Sequence, residues 1–92
     1  MIKSFKSKSL RALYEDDDPS KLPPELVPRV RMILTVLDAA GDISDLDQPT
    51  LRLHALKGRL KGYSAVTVRA NWRIIFKFRA GDAHDVDFID YH

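Results

Sequence analysis

Cysteine is absent from the 92 residues. That removes disulfides, thiolate nucleophiles and cysteine-based zinc sites together, and it suits a reducing compartment. No apolar run approaches the ~18 residues that a membrane span needs. The opening Met1-Ile2-Lys3-Ser4-Phe5-Lys6 places no apolar run behind its charges, so a secretory leader is not expected. Glycine is scarce, and the pair Gly58 and Gly62 suits a turn better than a phosphate-cradling loop. The histidines, His54, His84 and His92, show no H-x-x-x-H pair, and the aspartates at 82, 85, 87 and 90 do not follow a calcium-loop pattern. Neither a metal nor another cofactor is expected. A chain of this length makes one domain over residues 1–92, with a radius of gyration of ~12 Å. Such a particle holds one core but cannot wall in a large substrate. The reading is a soluble protein of the cytoplasm, with no membrane as partner.

What is present is first a charge pattern. The net charge is only +2, yet between Asp47 and Asp82 there is no acidic residue. That interval carries Arg52, Lys57, Arg59, Lys61, Arg69, Arg73, Lys77 and Arg79. Clustered cations create a local positive field whatever the total charge is. They fit either a solvated strand face or a surface for a polyanion such as RNA, and composition alone does not choose.

Periodicity gives the fold class. Ile2 and Phe5 suggest a short first strand, and Ser9 suits the N-cap of a brief helix over 10–15. Leu26, Val27, Val30, Ile33, Leu34 and Leu37 recur at three- and four-residue spacing, which predicts a helix over 24–40 stopped by Gly41. Residues 42–50 read as a connection with one helical turn near Asp45, and 51–56 as extended. The period then becomes two. Residues 63–69 are rich in β-branched side chains, and Trp72, Ile74, Phe76 and Phe78 alternate with Arg73, Ile75, Lys77 and Arg79, a strand with one buried face. Residues 80–83 predict a hairpin, and Val86 and Phe88 a final strand. Helices followed by an antiparallel meander define an α+β fold, a small twisted sheet of about four strands with the helices on one face.

Several side chains able to do chemistry fall in or beside the basic zone. His54 alone suits a half-buried, hydrogen-bonded histidine. Asp90, Tyr91 and His92 follow directly on a core strand, where a chain would otherwise fray. With Lys57 and Arg73, these side chains supply what metal-free RNA cleavage requires. A base must take the 2′-OH proton, and an acid must protonate the 5′-oxygen. Fixed cations must stabilise the charge that develops on the phosphoryl oxygens.

The segments Leu53-His54-Ala55-Leu56-Lys57-Gly58, Gly62-Tyr63-Ser64, Val66-Thr67-Val68-Arg69-Ala70-Asn71-Trp72-Arg73-Ile74 and the ending Asp90-Tyr91-His92 resemble the HigB toxins of the RelE/ParE toxin–antitoxin superfamily. The likeness runs over essentially the whole chain. Asn-Trp-Arg and Asp-Tyr-His are its most specific parts. It implies a RelE-like fold and a ribosome-dependent endoribonuclease that cuts messenger RNA in the decoding A site. It further implies catalytic roles for His54, Asp90, Tyr91 and His92, phosphate contacts from Lys57 and Arg73, and a place for Asn71 near the codon bases. Arg69 and Lys61 become backbone or ribosomal RNA contacts. The implied partners are the ribosome, messenger RNA and a cognate helix-turn-helix, HigA-like antitoxin. Family members commonly carry proline where Ala55 stands. His84 has no role in the family pattern, and Trp72 reads as core. The other readings are a non-catalytic superfamily toxin that inhibits DNA gyrase, or a module that binds RNA without cutting it. Gyrase-poisoning relatives lack the histidine and the terminal triplet.

Overall fold

A computed structural model describes residues 1–91. Two helices, α1 (Lys8–Asp16) and α2 (Val27–Ala39), precede four strands, β1 (His54–Ala55), β2 (Ser64–Arg69), β3 (Trp72–Arg79) and β4 (Asp82–Asp90). The strands form one antiparallel sheet in chain order, and the radius of gyration is 12.0 Å.

The chain enters through the sheet. Ile2 and Phe5 make isolated parallel bridges to Ala83 and Val86 rather than a regular strand. Amides of Lys3 and Lys6 donate to the carbonyls of Ala83 and Val86, each at 2.8 Å. The segment thus covers the edge of β4, where unpaired backbone groups would otherwise be open to other chains. Because this pairing lasts until Ser7, α1 is capped there and not at Ser9: Ser7 is extended, and its Oγ accepts the Leu10 amide at 3.1 Å. The predicted second helix divides into a 3₁₀ turn, Pro24–Leu26, and α2. Pro28, near the start of α2, removes an amide that has no partner within the helix. The expected turn near Asp45 is the 3₁₀ turn Ile43–Leu46, capped by Asp42.

One sheet face receives the helices. Val66, Ile74, Phe76 and Val86 are buried against Leu10, Val30, Ile33 and Leu37. Trp72 belongs to this side as expected, stacked on Phe88 with centroids 4.7 Å apart and planes 9° from parallel. The other face departs from simple alternation. Ile75, expected in solvent between Arg73 and Lys77, is 2% exposed. It joins Leu56, Tyr63 and Ala65 in a second small cluster, beneath partly buried Leu60 and Ile89. The 3₁₀ turn Gly58–Leu60, flanked by Gly58 and Gly62 at φ 68° and 98°, brings Leu60 onto this face. The stretch 51–56 is likewise less extended than expected, because Leu51 is drawn into the main core and Arg52 turns at φ 52°.

The hairpin between β3 and β4 turns on Ala80 and Gly81, at φ 51° and 80°. Two successive left-handed residues match the twist of the strands they join. Asp85, at φ 53°, sits in a bulge opposite the segment from Ile75 to Lys77.

Candidate active site

Register decides which side chains share a face. His54 pairs with Ala65, Ala65 with Ile75, and Ile75 with Asp87, so these four form one row across the sheet. Thr67, Arg73 and Ile89 form the next row on the same side of the pleat. Both rows lie on the face away from the helices, since Ala65 and Ile75 belong to the second cluster. With strands ~4.8 Å apart, the Cα atoms of His54 and Arg73 are roughly 12 Å from each other. Two side chains leaning over β2 can therefore address one phosphate.

The end of β4 is tied to the turn between β2 and β3. Asp90 pairs with Trp72, and the Tyr91 amide donates to the Asn71 carbonyl at 2.7 Å. Arg69, Asn71, Arg73, Asp90 and Tyr91 are thus gathered at one end of the sheet. Tyr91 is 43% exposed. By the pleat, Asp90 follows the side of Trp72 at the strand's exposed end, whereas Arg73 follows the side of His54. His92 lies outside the described residues.

Lys57 and Lys61 flank the 3₁₀ turn Gly58–Leu60, at the far end of β2 from Asn71. Six residues of strand make that separation ~20 Å. The two lysines extend the basic surface past His54 without joining the Asn71 end. Toward that far end, the ammonium groups of Lys77 and Lys6 lie 5.0 and 5.6 Å from the centroid of the Tyr63 ring. The Tyr63 hydroxyl, followed by Asp85 and Asp87, holds the Lys6 ammonium above its ordinary range. Asp85 also lies 4.0 Å from Lys77.

Arg73 folds back over the hairpin. One terminal nitrogen donates to the carbonyls of Ala70 and Trp72 at 2.5 and 3.1 Å. Its Nε is buried with no acceptor among the described residues. His54 is exposed, and its Nδ1 lies 3.0 Å from the Arg52 carbonyl. His84 is an ordinary strand residue opposite Lys77.

One contributor gives no signal in the sequence. Arg29 reaches from α2 to the carbonyls of Thr50 and Thr67, at 2.6 and 3.1 Å. It clamps the segment leading to His54 against β2. Among the described residues no three His, Cys, Asp or Glu side chains are placed to hold a metal ion, and no helix is long and apolar enough to cross a membrane.

This architecture is that of RelE-like toxins. The chain superposes on a chain of the heterotetrameric YoeB–YefM toxin–antitoxin complex from Staphylococcus aureus with a TM-score of 0.62 at 14% identity, covering 100% of this chain and 98% of that one. YafQ from E. coli gives a TM-score of 0.57 at 16% identity, covering 95% and 89%. Sequence comparison is more specific. Residues 3–92 match the family described as "RelE-like toxin of type II toxin-antitoxin system HigB". The chain is 46% identical to Endoribonuclease HigB of Proteus vulgaris over 92 residues, covering 100% of both. It is 36% identical to Toxin HigB-1 of Vibrio cholerae serotype O1 over 94 residues, covering 100% and 98%. The chain belongs to the HigB-like toxin family of type II toxin–antitoxin systems.

Proposed function

We propose that this toxin is an endoribonuclease that cuts messenger RNA in the decoding A site of the ribosome. It does so by general acid–base attack of a ribose 2′-OH on the adjacent phosphorus, without a metal. The observation that carries the reading is the sharing of the sheet face away from the helices by His54 and Arg73, beside an end of the sheet that gathers Asn71, Asp90 and Tyr91. The 46% identity with a relative named as an endoribonuclease over the full chain supports it.

Each residue then has a task. The proton transfers fall to His54, Asp90, Tyr91 and His92. Arg73 and Lys57 hold phosphate, Asn71 meets a base, and Arg69 and Lys61 contact RNA backbone. General acid–base groups and fixed charges each contribute on the order of 10²- to 10⁴-fold in rate. A particle with a 12.0 Å radius of gyration does not by itself hold flexible RNA in line for attack. If the ribosome fixes the message, that orientation comes from outside, where it can be worth several kcal/mol. Action on ribosomes places the protein in the cytoplasm. A helix-turn-helix antitoxin of the HigA type would restrain it, as a YoeB relative is paired with YefM.

The test is a map of messenger 5′ ends after induction, with translation running and with translation blocked. New ends confined to translated regions are expected, and His54→Ala should remove them while the protein stays folded. Growth arrest with intact messages would instead select the gyrase reading.

A further inference from the structure

We infer that Arg52 is a positioning residue for this reaction, acting through its main chain: its left-handed conformation aims a carbonyl at His54 and leaves Nε2 of that imidazole as the base. The inference rests on the nuclease reading above and assigns the proton acceptor within it.

The geometry of residues 48–54 carries the argument. The Leu51 and Arg52 amides both donate to the Gln48 carbonyl, at 2.9 and 3.3 Å, which closes a turn. Leu51 is 1% exposed, and its carbonyl accepts the Thr67 amide at 2.8 Å. Arg29 holds Thr50 and Thr67 from the other side. On this fixed platform Arg52 adopts φ 52°, a conformation in which the Cβ of an L-residue crowds the following carbonyl. The hydrogen bonds on either side hold it in this conformation. The result is a carbonyl oxygen 3.0 Å from Nδ1 of His54.

A carbonyl oxygen only accepts hydrogen bonds. The ring nitrogen facing it must carry the proton, so the neutral imidazole is the Nδ1–H tautomer. Its lone pair then sits on Nε2, at the tip of the ring, on the sheet face shared with Arg73. The step balances. Nε2 takes the 2′-OH proton as the 2′-oxygen bonds to phosphorus. The bond from phosphorus to the 5′-oxygen breaks, and that oxygen receives a proton from an acid at the end of the chain, Tyr91 or His92. The products are a 2′,3′-cyclic phosphate and a 5′-hydroxyl, and exchange with water restores both groups.

The side chain of Arg52 has no part in this mechanism, which separates two kinds of substitution. Asn tolerates the left-handed region, whereas a β-branched residue does not. With translating ribosomes and messenger RNA as substrate, Arg52→Asn should keep kcat within about threefold, with any loss confined to KM, and Arg52→Val should lower kcat at least ~10-fold. The direct readout is taken on the wild-type protein. In a long-range ¹H–¹⁵N correlation spectrum of the wild-type protein above pH 8, with His54 assigned by its loss in His54→Ala, the proton should be on Nδ1. A wild-type protein that cuts messages but carries the His54 proton on Nε2 overturns the inference, as does a folded Arg52→Val with unchanged kcat. A wild-type protein that cuts no message at all defeats the nuclease reading instead.

Discussion

The phenol of Tyr14 donates to the carboxylate of Asp38 across 2.7 Å and ties α1 to α2. The same carboxylate oxygen accepts the Ile2 amide at 2.9 Å, so both helices and the N-terminal segment meet at one group. The phenol and then the Ile2 amide hold Asp38 below the usual carboxylate range. The same bond, chiefly, pushes Tyr14 up to about 12.

A pH dependence follows with a definite sign. A carboxylate whose folded value is lowered stabilises the protein above its unfolded value, ~3.9, and that contribution disappears as pH falls through the folded value. Tyr14 acts oppositely. Its contribution is complete below ~10 and is lost as pH rises through about 12. Asp38→Asn should therefore be less stable than wild type at pH 7, with the gap closing below about pH 4. Tyr14→Phe should cost roughly 0.5–1 kcal/mol at neutral pH. Urea midpoints measured from pH 2.5 to 8 check both; a gap that widens in acid would contradict the first.

The turn between β3 and β4 predicts one gain and one loss of stability. Ala80 occupies a left-handed position that Asn adopts more readily, so Ala80→Asn should add about 0.5 kcal/mol. Gly81→Ala should cost ~1 kcal/mol or more. It is strained at φ 80°, and its Cβ would stand 3.2 Å from the Gly41 carbonyl oxygen. Thermal melts of the two variants should move in opposite directions.

Binding to ribosomes should weaken steeply with salt, because each phosphate contact releases counterions. Lys57→Gln should reduce the slope of log K against log salt by about 0.7–0.9, measured by co-sedimentation across a potassium chloride series. An unchanged slope would remove Lys57 from the RNA contacts.

Fusing a tag after His92 should impair cleavage without unfolding the protein. The Tyr91 amide is fixed to Asn71, and the added bulk would follow directly on residues proposed for the centre. Comparing N- and C-terminal fusions in the mapping assay gives the answer. Equal activity would argue against a role for the terminal residue.

The regular parts of the fold were legible because side chains there repeat with the backbone's own period. The α2 stripe and the alternation of Trp72, Ile74 and Phe76 needed no tertiary knowledge. Features produced by one segment folding over another were not legible. Ile75 reads as solvent-facing until the Gly58–Leu60 turn brings Leu60 across it, and Ser9 looks as good a cap as Ser7 until the chain pairs with β4. At the candidate site, the residue types and motifs pointed to His54, Arg73 and the terminal triplet. The clamp by Arg29 and the left-handed Arg52 left no trace, because both depend on which carbonyls the fold leaves nearby.

The pairing of residues 2 and 5 with residues 83 and 86 joins partners that lie far apart in sequence. Closing so long a loop costs entropy before the contact repays it, so this seam is expected to form after the local β2–β3 and β3–β4 hairpins.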